Sequence, residues 1–317
     1  MKAHARDYEL MLEAYSGVSG DPTVFANDDI AHLVVHENMV LGAHLVPGLE
    51  VEPVETPSGI DITLRVLPGV KIKKPVHLCF GVLPESGEQN INIAAEVGSD
   101  AGVSLLAHCV FPNSVSVRHN MQAKIIIADN GFYGYDEVHF HGERAGATVI
   151  PRAKITLGEG ASLRTGFQLT SGRVGELDID YEVEAGPGSV TEMIARVFGY
   201  GSDKISIREK CVLAGERARG IIKSRVAVKG RATSEVFSEM SAVGARSRGH
   251  VDCIEIVQEE GTARAVPVVD VFDSTAKVTH EAAIGSVDRK QLETLMARGL
   301  NQEQAVDLII RGMLSPA

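Results

Sequence analysis

From about residue 30 to residue 280 the chain alternates apolar and polar positions in short runs, strand after strand. IDITLRVL (60–67), KIIIA (124–128), LDIDYEVEA (177–185), KISIREKCVL (204–213) and GIIKSRVAV (220–228) are rich in β-branched residues. Several carry the period of two that lays one face of a strand on a core. Between residues 20 and 285 no long stripe of helical spacing occurs, which argues against alternating strands and helices. The ends differ. Tyr8, Met11, Leu12 and Tyr15 recur at helical spacing, and Gly17 and Gly20 are expected to stop that helix. From Ser286 a helical hairpin is predicted, with Leu292, Leu295 and Met296 in the first run and Ala305, Leu308, Ile309 and Met313 in the second. Asn301 is the expected N-cap after the Gly299–Leu300 break, and Gly312 the expected stop.

Glycine corners recur along the strand region. Those at Gly102, Gly131, Gly160 and Gly188 are spaced by one interval of 28 or 29 residues, and those at Gly215, Gly230, Gly244 and Gly261 by about half of it. The corner texts VLAGERARG, AVKGRATSE and SAVGARSRG resemble one another. One strand and one corner per half-turn is what a flattened β-helix requires, because each rung buries its inward side chains only under the next rung. The period favours this over a β-sandwich. The division expected is a helical segment over 1–29, a β-helix core over 30–283 and a helical segment over 284–317.

Composition narrows the function classes. The 317 residues include 31 Lys and Arg against 42 Asp and Glu, a formal net charge of −11. No basic run is present, so a nucleic-acid or anionic-membrane surface is not expected. Aromatics are 5% and Trp is absent, which leaves little for base stacking. The first twenty residues are too charged for a signal peptide, and no 18-residue apolar run suggests a membrane span. Cys79, Cys109, Cys211 and Cys253 are scattered without a CxxC pair, which points to a reducing, cytoplasmic setting rather than a disulfide framework. GxxxxGK[ST] and GxSxG are both absent, so nucleotide hydrolysis and acyl transfer are unsupported.

Three groups of residues could carry chemistry. In YDEVHFHGE, Glu137, His139 and His141 fall on one face of a strand, where two imidazoles and a carboxylate suit iron or zinc. The same residues would also make an ordinary outward polar face. In ISIREKCVLAG, Cys211 shares a face with Ile205, Ile207 and Leu213, interrupted by Glu209. A buried thiol is a small hydrophobe by default, and an acidic neighbour would raise its pKa. Cys253 lies one period before His280 and Glu281, so the three could occupy stacked rungs and offer iron a mixed thiolate, imidazole and carboxylate set.

Around that last group the text resembles the SufB/SufD family of iron–sulfur cluster assembly proteins. The matching elements are His280-Glu281-Ala282, Gln291-Leu292, Arg298-Gly299-Leu300 and Gly312-Met313, with CVLAG around Cys211, the corner Ser247–Gly249, Cys253 and Pro267 in family order upstream. Glu281 after His280 resembles SufB more than SufD, and the length resembles the compact archaeal members. The resemblance covers residues 200–317. It implies a right-handed parallel β-helix between helical ends, acting as an assembly scaffold rather than an enzyme. It implies a homodimer through the β-helix, a SufC-type ATPase docked on the C-terminal helices, a sulfur donor, and apo-protein acceptors of a transient iron–sulfur cluster. ATP would enter only through that partner. Sulfur entry is implied at Cys211, and cluster ligation at His280 and Glu281. The chain departs from the family in one place: Gly261 and Arg264 stand where SufB has the cysteine and histidine of a Cys-Gly-Ala-His segment. Cys253 is the nearest substitute ligand. Two alternatives remain: a cupin-like metalloprotein centred on Glu137, His139 and His141, and a SufD-like structural subunit without a cluster.

Overall fold

The computed structural model describes residues 2–17 and 21–315. Helix α1 (Lys2–Ser16) and a 3₁₀ turn at Pro22–Ala26 precede nineteen strands. One sheet contains β1 (His32–His36), β2 (Met39–His44), β5 (Val76–Gly81), β7 (Gly102–Phe111), β9 (Phe132–His141), β11 (Ser162–Leu169), β13 (Val190–Gly201), β15 (Arg219–Gly230), β17 (Arg248–Val257) and β19 (Lys277–Gly285). The other contains β3 (Leu49–Thr56), β4 (Gly59–Val66), β6 (Ser86–Val97), β8 (Ser116–Ile127), β10 (Ala147–Leu157), β12 (Gly175–Ala185), β14 (Lys204–Leu213), β16 (Thr233–Ala242) and β18 (Thr262–Val271). Helices α2 (Arg289–Ala297) and α3 (Gln302–Leu314) close the chain.

Strands enter the two sheets alternately, and every pairing is parallel except the hairpins β1/β2 and β3/β4. The result is a parallel β-solenoid of about eight coils with helices at its ends. Its core is a set of stacked columns, one side chain per coil. Val66, Val97, Ile127, Leu157, Ala185, Leu213 and Ala242 form one such column, all buried. The next member, Val271, is 49% exposed because no coil lies above it.

The corners explain the glycine spacing. The left-handed position in successive coils is held by Asp100, Asn130, Gly160, Gly188, Arg217 and Arg246, so only two of the six are glycine. Glycine is needed beside them instead. A Cβ on Gly244 would strike the Gly215 carbonyl oxygen, and one on Gly215 would strike Gly186 and Pro187. Stacked coils approach too closely there for a side chain. Gly230 and Gly261 belong to the opposite corner, which accounts for the half-period.

Both terminal helices lie on the outer face of the first sheet. Met11 and Tyr15 of α1 are buried against Val34, Cys79 and Val110, with Phe25 completing the cluster. Val306, Ile310 and Leu314 of α3 pack on Ala227, Ile256 and Val287. Burying an aliphatic side chain of this kind contributes about 1.5–3 kcal/mol. Asp288 caps α2 through Gln291, and Asn301 and Gln304 form a capping box on α3. Gly312 does not end α3. The helix continues to Leu314, because Ile310 and Leu314 are buried on one side and hold the turn between them. Gly17 follows α1 in a turn, whereas Gly20 lies outside the described residues. Among the described residues no helix is long and apolar enough to cross a membrane.

Candidate functional site

The interior of the last coils is not uniformly apolar. On β14, Ile205, Ile207, Glu209, Cys211 and Leu213 all point inward and are buried. Burial pushes the Cys211 thiol up to about 12 against the opposing influence of the Thr191 hydroxyl, and burial alone pushes the Glu209 carboxyl up to about 8. Desolvation is therefore what quiets this thiol, rather than its acidic neighbour. Gly220 leaves room beside it, since a Cβ there would lie 3.2 Å from the sulfur. On β16, Ser238 sits in register with Glu209 and reaches Cys253 of β17, Oγ to Sγ 3.6 Å. Ser224 of β15 pairs with Cys253, and Ser234 bonds Glu255 at 2.6 Å. Cys253 is itself fully buried, and its thiol is raised chiefly by desolvation. Glu209, Ser224 and Ser238 thus form a buried polar stretch between the coils that carry Cys211 and Cys253. Glu209 Oε2 and Ser224 Oγ have no partner there.

β17 and β19 are neighbours, so Cys253, His280 and Glu281 do lie on stacked rungs. The register sets His280 beside Val251, Glu281 beside Asp252, and Ala282 beside Cys253. Consecutive residues of a strand point to opposite faces, so His280 falls in the inward column and Glu281 in the outward one. Within a single chain the three are not gathered around one point. His280 and Glu281 are exposed, because β19 is the last rung of its sheet.

The other histidine-rich strand differs from an outward polar face. Glu137, His139 and His141 on β9 point into the solenoid, each at most 2% exposed. The register brings Cys109 of β7 beside His139. The ligating atoms of Cys109, Glu137 and His139 all lie within 4.8 Å of one another. His139 Nε2 is 2.5 Å from Glu137 Oε1, and the Cys109 thiol donates to the same oxygen at 3.6 Å. His119 enters from β8 in the opposite sheet, with Nε2 3.8 Å from Cys109 Sγ. His139 Nδ1 meets His141 Nε2 at 3.2 Å.

Burial dominates the electrostatics of this cluster. It lowers His119 to about 3, aided by His139, and raises Cys109, aided by Glu137. His141 is also lowered by burial and by His139. Glu137 is opposed by its own burial but held below the ordinary carboxylate value by the His139 bond and charge. Strand-by-strand reading reaches only Glu137, His139 and His141. Cys109 and His119 become visible when positions are compared by coil, since Cys109 precedes Glu137 by 28 residues.

Residues 85–313 match the family described as SUF system FeS cluster assembly, SufBD core domain. The chain is 35% identical over 308 residues to an iron–sulfur cluster assembly SufBD family protein of Methanocaldococcus jannaschii, covering 96% of this chain and 98% of that one. A SufBD family protein of Pyrococcus horikoshii is 32% identical over 311 residues, covering 98% and 94%. The iron–sulfur cluster assembly protein SufB of Bacillus subtilis is 24% identical over 257 residues, covering 78% of this chain and 54% of that protein.

Proposed function

Because the chain belongs to the SufBD family of iron–sulfur cluster assembly proteins, and its general role is in that assembly, we propose that it is the scaffold subunit on which the cluster is built. In this reading Cys211 receives sulfur, the interior carries it toward Cys253, and Cys253, His280 and Glu281 hold iron and sulfide until a target protein takes them. The observation that carries the reading is the buried polar stretch Glu209–Ser224–Ser238, which leads from the coil of Cys211 to Cys253, one rung below the open end. An unpartnered carboxyl oxygen and hydroxyl inside an otherwise apolar core cost stability, and a passage for a polar sulfur species gives them a purpose.

The geometry of one chain also supports a homodimer. β18 and β19 present unpaired edges, and Val271, Phe272 and Ile284 are exposed beside them at 49, 72 and 47%. An uncovered edge of this kind is an association surface, and a second copy would cover it with a self-complementary face. Two or three ligands from each protomer would then suffice, and mixed ligation would release a cluster more readily than four thiolates. Both thiols are protonated at neutral pH while the coils are closed. A separate ATPase docked on α2 and α3 would supply the motion that opens them.

The test is anaerobic reconstitution of single variants. Cys253→Ser, His280→Ala and Glu281→Ala each lower bound iron and sulfide while the dimer persists. Cys211→Ser impairs sulfur delivery by an enzymatic donor but leaves reconstitution with free sulfide largely intact. Unchanged cluster content in both Cys253→Ser and Glu281→Ala rejects the assignment.

A further inference from the structure

We propose that Cys109, His119, Glu137 and His139 form an internal site for a single divalent transition ion, zinc or iron(II), distinct from the end where the cluster is built. β9 lies five strands from β19 in the same sheet, roughly 24 Å at about 4.8 Å per strand. One ion cannot serve both places.

The ligand set is that of a borderline metal: one sulfur, two imidazole nitrogens and a carboxylate oxygen. Three of the four ligand atoms already lie within 4.8 Å of one another, and His119 Nε2 stands 3.8 Å from the sulfur, facing it from the opposite sheet. The two sulfur contacts, 3.6 Å to Glu137 Oε1 and 3.8 Å to His119 Nε2, are close to the edges of about 3.3–3.5 Å of a tetrahedron built on metal–sulfur and metal–nitrogen bonds of about 2.3 and 2.0 Å, and the 2.5 Å hydrogen bond between His139 and Glu137 opens to admit the ion.

Two further observations point to an ion. Glu137 is 1% exposed, and its Oε2 has no partner among the described residues. A carboxylate oxygen left bare in a closed interior is costly, and a cation beside it removes that cost. The second is the way the imidazoles are held. His119 Nδ1 donates to Gln89 Oε1 at 3.1 Å. Gln89 is fully buried, and its amide nitrogen is tied to the carbonyls of Glu37 at 2.9 Å and Gly81 at 3.3 Å. That anchoring turns the Gln89 oxygen toward His119 and leaves His119 Nε2 as a free lone pair aimed at Cys109. This is the outer support that metal-binding imidazoles require. His141 plays the same part for His139 through the 3.2 Å contact at Nδ1.

His141 is therefore a positioning residue and not a ligand, while Cys109 replaces it in the set. Binding displaces the thiol proton of Cys109, and His139 takes the tautomer with its single proton on Nδ1, facing His141 Nε2, which leaves thiolate, neutral imidazole and carboxylate on the metal. Because Cys109, Glu137 and His139 belong to one sheet and His119 to the other, the ion ties the two sheets together across the interior. All four ligands are buried, so the ion enters as the coils close.

The test is refolding of the full chain with cobalt(II) as the probe, in the absence of iron and sulfide. The wild type takes up about one cobalt per chain and shows intense tetrahedral bands with a thiolate charge-transfer band. Cys109→Ser loses the charge-transfer band, and Glu137→Gln weakens binding at least about tenfold. Gln89→Ala weakens it by about 10–100-fold, as expected for an outer-shell support. Cys253→Ser with His280→Ala keeps the cobalt spectrum, which separates this site from the cluster end. Elemental analysis of the Cys253→Ser, His280→Ala double variant purified anaerobically then tells zinc from iron at this site. Should Cys109→Ser fail to fold, the wild-type comparison decides: refolding with zinc raises Tm above that of chelator-treated protein. No cobalt band in the wild type, a band unchanged in Cys109→Ser, or no gain in Tm with zinc overturns the proposal.

Discussion

Cys253 and Ser238 meet inside the solenoid from opposite sheets, Sγ to Oγ 3.6 Å, with neither side chain open to solvent to any useful degree. The thiol has a polar neighbour but no water, and the other three cysteines are equally enclosed. Native protein at pH 8 should therefore yield fewer than about one rapidly reacting thiol per chain with a disulfide reagent, and all four cysteines after unfolding in denaturant. Rapid reaction of Cys211 in the folded protein would contradict a closed interior.

Glu209 should make stability fall as pH rises. Its folded value is raised to about 8, against an ordinary value of 4.5 in the unfolded chain, so the folded state keeps a proton that the unfolded state has lost. The contribution is fully present below about 4.5, declines from there to about 8, and is absent above. Tyr181 and Ser238 flank it on the neighbouring strands, and neither supplies a cation. Between pH 6 and 9 the wild type should lose on the order of 3 kcal/mol more than Glu209→Gln, measured by urea unfolding.

Acid should loosen α1. His108 is lowered to about 4 by burial and by His77, and His32 and His77 are lowered by burial as well. His77 and His108 lie beneath Tyr15, whose hydroxyl is 3.2 Å from His77 Nδ1, with Asp21 nearby, and His32 packs against Phe25. A depressed histidine favours the folded state above its unfolded value of about 6.5, and that advantage is lost as pH falls through 4. Amide exchange in α1 should rise steeply between pH 6 and 4, after correction for the intrinsic rate, and less so in His108→Leu. An unchanged protection pattern would refute this.

Two glycine substitutions should have opposite signs. Gly244→Ala drives a methyl group into the Gly215 carbonyl and should cost about 1–3 kcal/mol by thermal unfolding. Gly312→Ala meets nothing within 4 Å in α3 and should strengthen that helix by about 0.5–1 kcal/mol, seen as slower amide exchange.

The C-terminal hairpin should carry the ATPase. Val306, Ile310 and Leu314 are used up against the solenoid, whereas Met296 and Leu308 are exposed at 42 and 48%. Ending the chain at Ser286 should abolish co-purification with a SufC-type ATPase. Leu308→Asp should do the same without disturbing the coils. Survival of the complex in both would place the docking surface elsewhere.

The alternation of IDITLRVL or LDIDYEVEA and the recurring corners were enough to specify stacked strands, because inward and outward positions repeat with a period of two and coils repeat with a period of 28 to 31 residues. The apolar spacings of Tyr8–Tyr15 and Ala305–Met313 likewise specified helices at the ends, although the face that α3 buries is Ala305, Val306, Ile310 and Leu314, with Leu308 left exposed. Several things were decided only by the tertiary structure. Whether Glu137, His139 and His141 face water or the interior depends on which face of β9 the opposite sheet covers, and a period of two is blind to that choice. Which side chains meet depends on inter-strand register, which places Cys109 beside His139 but Ala282, not His280, beside Cys253. His119 joins its cluster from the opposite sheet, across the width of the solenoid. No spacing along the chain encodes that contact, because it follows from how far apart the two sheets pack.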